Sequence, residues 1–428
     1  MVQQADLKPW LRPPPKSYLL VNGNIIDVEA GEVLQSMDVK IENGKISSIL
    51  PSASSVSAPS SAAAGFTTID CTGRYLCPGL IDSHVHLIAV PGFGDLSSAF
   101  GNPEAVSLLR QPYVCAQMLA RGFTTVRDCG GAGAALRDAI TDGVFPGPRL
   151  FLSGHALSQS GGHADFRGAP RPCMQAAREE IRTGSDFIKI MGSGGVSSPT
   201  DKIDHLQFTG EEIRAMVECA ENAGTYVTAH AYTTKAIRHC IDNGVRGIEH
   251  GNFLDAETAA LMKEKGVYLT PTLITYHQMA SSKWTGYLPP ESQSKNTEVL
   301  DAGLKALKIA HDAGVTICFG TDLLGPLGAA QTHEFALRSQ VLSPVDVLRS
   351  ATLNPARMLG QESTLGQIRE GFEADLLILS TNPLEDVTVL DQPDKHVLGV
   401  MKEGRIYKSR IKGVEEDAVA PIRFTPHL

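Results

Sequence analysis

Short apolar segments alternate with helical patterns through the middle of this 428-residue chain, and this alternation restricts the fold more than any other feature. Two of the helical patterns, 209–224 and 255–266, begin with a good helix-capping residue and end at a glycine. The apolar segments have the length and the bounding turn residues of buried strands, and they are 79–86, 124–130, 149–154, 186–194, 226–232, 247–251, 267–274 and 316–322. Eight strands alternating with helices predict an α/β fold of the (β/α)8 TIM-like barrel type.

The N-terminal part of the chain has a different pattern, typical of β-hairpins. Residues 18–50 hold short β-type runs separated by turn residues. Hairpin turns are therefore expected at Asn22-Gly23, Ala30-Gly31 and Asn43-Gly44. The following segment, 51–65, is rich in Ser and Ala and low in complexity, which predicts a surface loop.

After residue 366 the chain returns to β-type patterns. Neither end of the chain has enough apolar residues for a core of its own, so we expect both ends to share one small sheet domain. The predicted division is 1–78 for its N-terminal part, 79–365 for the barrel and 366–428 for its C-terminal part.

Composition excludes several classes of function. The formal net charge of −9 argues against a nucleic-acid-binding protein, which needs a basic surface. No apolar leader or membrane-length apolar segment is found, and the eight cysteines form no CxxC pair. Free thiols in a reducing compartment, and hence a cytoplasmic location, are expected.

Polar residues stand at the ends of the predicted barrel strands, where barrel enzymes build their active sites. His84 and His86 end the first strand and, at i and i+2, point to the same side. His230, His250 and Asp322 end the fifth, sixth and eighth strands. Each alone is better explained as a hydrogen-bonded buried group, but together they predict a divalent-metal site.

Lys189 lies among apolar residues of the fourth predicted strand and faces the same site. Burial and nearby positive charge both favour its neutral amine. A neutral amine can react with carbon dioxide to form a carbamate, which carries the charge and oxygen atoms of a carboxylate. The alternative is a lysine whose ammonium reaches solvent at the strand end.

The motifs PGLIDSHVHL, GFTTVRDCGG, FIKIMGSGG, TAHAY, GIEHG and FGTD, with the closing segment 351–387, resemble the amidohydrolase superfamily in its binuclear-metal subtype. The resemblance covers about residues 17 to 408. It implies a barrel with a small β-sandwich domain formed by both termini, and two Zn²⁺ ions bridged by a carboxylated Lys189. His84, His86 and Asp322 would hold one ion, and His230 and His250 the other. Mn²⁺ or Co²⁺ stays open as an alternative to zinc.

The segment SGHALSQSGGHADF, residues 153–166, resembles one group of this superfamily. That group contains Xaa-Pro dipeptidases, metallo-carboxypeptidases and ochratoxin-hydrolysing amidases. The resemblance implies that His163 polarises the scissile carbonyl and that Tyr232 meets the carboxylate of the substrate. Tyrosine at position 232 favours the dipeptidase pattern over the ochratoxinase pattern. Alternatively, His155 and His163 are ordinary loop histidines, and Tyr232 is a packed aromatic residue.

The expected reaction is cleavage of an amide or peptide bond next to a carboxylate-bearing amino acid. A metal-bridging hydroxide attacks the carbonyl, Asp322 takes and returns the proton, and His163 stabilises the oxyanion. Two long loops, 87–110 and 155–180, are expected to cover the site. The substrate is a small amide or dipeptide, with no nucleic-acid or membrane partner, and a homo-oligomer is left open.

Three alternatives remain from the sequence. An ochratoxin-type amidase of the same group is one, because a single residue such as Tyr232 does not settle the substrate. A mononuclear deaminase or imidazolone hydrolase of the same superfamily would lack the strand-four lysine, so Lys189 argues against it. A non-enzymatic scaffold would have lost ligands, whereas all six are present.

Overall fold

The computed structural model describes residues 7–8, 10–52, 65–163, 165, 172–198 and 201–417. Most of the predicted surface loop lies outside these residues. The first strands are β1 (Ser17–Asp27), β2 (Glu32–Glu42), β3 (Lys45–Pro51), β4 (Phe66–Asp70) and β5 (Tyr75–Pro78).

Two of the three predicted hairpin turns are confirmed. The chain turns at Ala30-Gly31 between β1 and β2 and at Asn43-Gly44 between β2 and β3. The turn predicted at Asn22-Gly23 is wrong, because β1 continues through it with a shift in its pairing to β2. Asn22 has a φ of 58°, and its backbone N–H donates to Asp38 Oδ1 at 2.9 Å, so these residues form a bulge.

Seven parallel strands follow in two sheets. They are β6 (Leu80–Val85), β7 (Phe123–Asp128), β8 (Arg149–Leu152), β9 (Ile188–Met191), β10 (Val227–Thr233), β11 (Gly247–Phe253) and β12 (Tyr268–Thr270). One sheet has the order β6-β7-β8, and the other has the order β12-β11-β10-β9. Each is parallel throughout, as expected where helices connect successive strands.

Backbone hydrogen bonds join these two sheets at both edges. Leu157, after β8, donates to the Lys189 carbonyl at 2.8 Å. On the other side, Cys318 donates to the Leu269 carbonyl of β12 at 2.8 Å, and Ser83 of β6 donates to the Phe319 carbonyl at 2.7 Å. The arrangement is a TIM-barrel-like α/β fold.

Two predicted strands differ in the structure. Within 316–322, the described chain forms one isolated bridge, Ile317 to Leu269, and no regular strand. Asp322 has a φ of 52°, which is incompatible with extended backbone. The strand predicted over 267–274 stops at Thr270, and a helix begins at Leu273.

The helices pack around the parallel strands. The α-helices are Leu96–Phe100, Glu104–Ala120, Ala134–Thr141, Cys173–Arg182, Gly210–Asn222, Thr234–Asp242, Ala256–Lys265, Leu273–Ala280, Pro290–Asp312, His333–Arg338, Pro344–Ser350, Leu353–Met358 and Pro393–His396. Short 3-10 helices are Ser282–Trp284, Gly325–Ala330 and Val387–Asp391. None of the helices in the described ranges combines the length and the apolar character that a bilayer crossing requires.

The two helix starts predicted from capping residues are confirmed. Thr209 forms a capping box with Glu212, and the Asp255 side chain accepts from the Thr258 N–H. Gly266 ends its helix in the left-handed conformation, with a φ of 64°. The two long loops predicted over 87–110 and 155–180 are wrong in part, because helices occupy sections of both.

Strands from the C-terminal part complete the first sheet. They are β13 (Leu376–Leu379), β14 (Val397–Lys402) and β15 (Arg405–Ser409). The sheet order is β15-β14-β13-β5-β1-β2-β3, with β4 paired to β1. The two ends of the chain therefore meet in one sheet, where β5 and β13 pair in antiparallel fashion.

Candidate active site

A cavity of about 860 Å³ lies at the carboxyl ends of the parallel strands. All eight side chains predicted for the site line it: His84, His86, His163, Lys189, His230, Tyr232, His250 and Asp322. His155 and Tyr276 line the same cavity. The cavity is large enough for a substrate of dipeptide size.

The predicted metal ligands converge at short range. His84 Nε2 and His86 Nε2 are 3.3 Å apart, and Asp322 Oδ1 lies 3.5 Å and 3.2 Å from them. Ligand atoms of His84, His250 and Asp322 all lie within 4.8 Å of one another. The His230 and His250 rings are 4.5 Å apart between centroids.

One nitrogen of each histidine ring is held by the protein, which fixes the orientation of the other nitrogen. The contacts are His84 Nδ1 to Glu249 Oε2 at 2.7 Å, His86 Nδ1 to the Gly130 carbonyl at 2.9 Å, His250 Nδ1 to Thr272 Oγ1 at 2.7 Å, and His230 Nε2 to the Gly194 carbonyl at 3.2 Å. The nitrogen left for a metal ion is Nε2 in His84, His86 and His250, and Nδ1 in His230.

Electrostatics favour the neutral, metal-binding form in three of the four imidazoles, whereas the hydrogen bond and charge of Asp322 raise the pKa of His86 despite its burial. Burial, followed by the charge of Lys189, lowers the pKa of His84 to about 4. Burial likewise holds the pKa values of His230 and His250 well below the usual range. These rings are therefore neutral near pH 7, as metal coordination requires.

Lys189 is 1% exposed, so its side chain does not reach solvent as the alternative interpretation required. Its side chain lines the cavity together with the predicted ligands. Four imidazoles, a carboxylate and this buried amine form a donor set that fits a divalent-metal centre.

Glu249 is a buried residue of the site that the sequence did not reveal. It is fully buried and accepts hydrogen bonds from Arg127 at 2.6 Å and from His84 Nδ1. Burial raises the pKa of Glu249, but Arg127 and His84 lower it more, so its pKa is well below the usual value. Glu249 precedes a ligand directly, and strict alternation would place it on the opposite side of the strand.

The side chains of Glu249 and His250 do not point to opposite sides of the strand, because the backbone at His250 is not extended. His250 has a φ of 74°, and Asp322 has a φ of 52°. Both predicted ligands thus occupy the left-handed region, which few side chains adopt. The two residues are held there by the surrounding structure, a form of strain that is common at functional sites.

Two tyrosines form one wall beside the ligands. Tyr232 and His230 are in edge-to-face contact at 4.8 Å between ring centroids. The Tyr232 hydroxyl lies 2.9 Å from the Tyr276 hydroxyl, which lies 2.9 Å from His250 Nδ1. Tyr276 is in a helix after β12, and its neighbour His277 is exposed and does not line the cavity.

His163 lies against the predicted ligands. Its ring stacks on that of His230, with centroids 4.6 Å apart and planes 24° apart. Its backbone N–H donates to Gln207 Oε1 at 2.9 Å, and its Nδ1 faces Asp201 Oδ2 at 3.5 Å. His155 is further out, where its Nδ1 lies 3.2 Å from Glu180 Oε1.

The fold and the polar cluster define a class, the barrel-like α/β proteins that carry a cluster of histidine and carboxylate side chains at the strand ends. The model of the amidohydrolase family matches residues 75–407, and the chain belongs to this family. It is 35% identical over 364 residues to the ochratoxinase of Aspergillus niger, covering 78% of this chain and 75% of that protein.

Two solved structures of hydrolases are also similar to this chain. A prolidase complexed with N-methylphosphonate-L-proline is 40% identical, with a TM-score of 0.85 over 92% of this chain and 100% of that one. A Xaa-Pro dipeptidase with methionine bound in its active site is 30% identical, with a TM-score of 0.83 and the same coverage. This protein is therefore a hydrolase acting on C–N bonds.

Proposed function

We propose that this protein is a binuclear-metal amidohydrolase that cleaves the amide bond next to a carboxylate-bearing amino acid, as Xaa-Pro dipeptidases do. The observation that carries the proposal is that Lys189, four histidines and Asp322 line the same cavity as Tyr232 and His163. The similarity to the prolidase with a bound proline phosphonate supports this substrate class.

The residues that would hold two divalent ions are His84, His86, Asp322, His230, His250 and a carboxylated Lys189. Zinc is the metal that this donor set favours, with Mn²⁺ or Co²⁺ as alternatives. When bound, such ions supply a nucleophilic hydroxide and polarise the scissile carbonyl. We further propose that segment 316–322 is the eighth barrel position and that the division at residues 78 and 365 separates the barrel from the shared sheet domain.

Asp322 would move the proton. Its Oδ1 already lies 3.2 Å from His86 Nε2 and would be in reach of the attacking water. Burial raises the pKa of Asp322, but His84 and His86 lower it more, so the carboxylate is free to accept a proton. Delivery of that proton to the departing nitrogen completes the cleavage, because an amine leaves poorly without it.

Tyr232 and His163 would orient the substrate. The Tyr232 hydroxyl can donate its one hydrogen to the substrate carboxylate, and the Tyr276 hydroxyl then donates to the Tyr232 oxygen. His163, stacked on His230, can donate to the carbonyl oxygen as negative charge develops there. Both side chains are buried and line the cavity.

A hydrolysis panel tests the proposal. The purified protein, loaded separately with Zn²⁺, Mn²⁺ or Co²⁺, is assayed on Xaa-Pro dipeptides, N-acyl amino acids and ochratoxin, each also as its carboxyl-amidated form. Free-carboxylate dipeptides should be the best substrates. A preference for the amidated compounds would contradict the role of Tyr232, and hydrolysis of ochratoxin alone would favour the amidase alternative.

The Tyr232→Phe variant sharpens the test. Loss of one hydrogen bond to a charged group should raise KM for carboxylate substrates about 10- to 100-fold and leave the amidated compounds unaffected. Tyr113→Phe, at a tyrosine that is 60% exposed, serves as the matched control. Metal analysis separates the deaminase alternative, which predicts one ion per chain and an active Lys189→Ala variant.

A further inference from the structure

His163 is a buried side chain whose position depends on a loop from another part of the chain. Its exposed fraction is 7%, and the loop after β9 closes over its ring. A Cβ atom at Gly195 of this loop would lie 2.2 Å from the His163 Cε1 atom. The ring therefore fills the space left by the glycine.

Asp201 is the charged group of that loop that faces the ring. Its Oδ2 lies 3.5 Å from His163 Nδ1, and neither atom has another hydrogen-bond partner among the described residues. Asp201 is 6% exposed, and its Oδ1 accepts from the Gly195 N–H at 3.2 Å. Two buried, unpartnered polar atoms that face each other are costly unless they are paired during the function of the protein.

Lys295 anchors Asp201 from the opposite side. This residue belongs to the helix Pro290–Asp312, and its Nζ donates to three backbone carbonyls of the loop. The distances are 3.1 Å to Gly195, 2.7 Å to Ser198 and 2.6 Å to Asp201. All three donors of the ammonium are thus used on one loop, which fixes the loop to a rigid element.

We propose that Asp201 is a positioning residue for His163 and that Lys295 holds it in place. The Asp201 carboxylate accepts a hydrogen from His163 Nδ1, which fixes the rotation of the ring and presents Nε2 to the substrate carbonyl. Contacts of this kind are often long without substrate and shorten in the complex. The catalytic part of this inference rests on the proposed function.

A double-mutant cycle tests whether Asp201 acts through His163. Asp201→Asn should lower kcat/KM for a Xaa-Pro dipeptide by about 10- to 100-fold with unchanged metal content. In the His163→Asn background, the same change should have almost no further effect, because the contact has already been lost. Independent, multiplicative losses would mean that Asp201 has a general structural role, and wild-type activity of Asp201→Asn would also overturn the proposal.

A second measurement does not depend on catalysis. In ¹⁵N NMR spectra of the imidazoles, the wild-type protein should show a slowly exchanging Nδ1–H signal that is absent from His163→Asn. The same signal should disappear in Asp201→Asn, because the Gly195 N–H holds the remaining oxygen and the amide NH2 then faces His163 Nδ1. Persistence of the signal there would overturn the proposal. If the wild-type protein hydrolyses no amide, the proposed function is wrong, and this signal still decides the contact.

Lys295→Met tests the anchor with a matched control. The loss of three hydrogen bonds should broaden or remove the His163 signal. Lys308→Met changes an exposed lysine of the same helix, which pairs with Asp312, and should leave the signal intact. Equal spectra for the two variants would contradict the role of Lys295.

Discussion

Glu249 is a full negative charge in the protein interior, and its stability depends on two partners. Arg127, also fully buried, donates to one carboxylate oxygen, and His84 Nδ1 contacts the other. Thr228 Oγ1 also donates to this carboxylate. Such a pair is costly to break, because removing one member leaves the other charge without compensation.

Glu249→Leu should therefore lower the free energy of unfolding by about 3–5 kcal/mol, measured by urea denaturation. It should also weaken metal binding about 10- to 100-fold, since His84 would lose the contact that orients it. Asp312→Leu, which removes one partner of an exposed ion pair, is the control and should leave both properties unchanged. Normal metal affinity in Glu249→Leu would contradict the orienting role.

A second prediction concerns the charge of residue 189. Lys189→Glu should retain part of the bound metal, because it supplies a carboxylate without carbamate formation. Lys189→Arg should bind no pair of metal ions, because a guanidinium stays positive and cannot form a carbamate. Metal content is measured on folded protein recovered by size exclusion. An arginine variant with two ions and activity would refute the role of Lys189.

The sequence analysis predicted eight side chains for the site, and all eight line one cavity. It did not predict the residues that form hydrogen bonds or ion pairs with them. Ligand residues follow apolar runs and are visible from local pattern alone. Glu249, Asp201 and Lys295 act through contacts between segments that are distant in the chain, and no local pattern contains this information. The left-handed backbone at His250 further hides Glu249, since alternation assumes extended residues.

Helix ends are the elements that local chemistry determines best. Asp255→Ala removes the side chain that caps the helix Ala256–Lys265 and should cost about 1 kcal/mol of unfolding free energy at pH 7. Asp255→Asn keeps the acceptor and should cost only a few tenths. Thermal unfolding of both variants measures the difference, and equal losses would contradict the capping role.

The Asp255 cap should also make the free energy of unfolding depend on pH. Hydrogen bonds from the Thr258 backbone and side chain lower the pKa of Asp255 in the folded protein. Its contribution is thus complete above the unfolded pKa of about 3.9 and is lost as the pH falls through the folded pKa. The stability difference between wild type and Asp255→Ala should shrink below about pH 4. A difference that is constant down to pH 2 would contradict this.

Other elements departed from local prediction for identifiable reasons. Asn22-Gly23 has turn chemistry, yet the long pairing of β1 with β2 absorbs it as a bulge. Residues 316–322 lie between β12 and β6 as a strand would, but they form one isolated bridge and end at the left-handed Asp322. Tertiary contacts therefore outweighed turn and strand propensities at these positions.

At the scale of the whole molecule, strand β13 connects the two hydrophobic cores. Leu376 and Ile378 belong to the core of the shared sheet, whereas Leu377 and Leu379 belong to the large core with the parallel strands. This follows the period of two in a strand. The two parts of the molecule should consequently unfold together.

Leu377→Ala tests this coupling. Leu377 is fully buried, and a Cβ at Gly122 would lie 2.9 Å from its Cδ1. The substitution should cost about 2–5 kcal/mol, and the metal-free protein should still unfold in one calorimetric transition at a lower temperature. Leu50→Ala, at a side chain that is 61% exposed, is the control. Two separate transitions in either protein would show that the parts are independent.

The fold class could be predicted from the sequence, because the alternation of strands and helices is a periodic signal that extends over most of the chain. The pairing of β5 with β13 joins residues about 300 positions apart, and only the shortage of apolar residues at each end indicated it. The predicted domain boundaries remain predictions.

The left-handed backbone at His250 and Asp322 limits how this site can be re-engineered. A library that exchanges metal ligands at these two positions samples few productive side chains, because β-branched residues and most others resist positive φ. Asn, Asp, His and Gly are the substitutions that keep the backbone in place. Laboratory evolution toward another metal or reaction would advance faster by varying the walls of the cavity than by varying these two ligands.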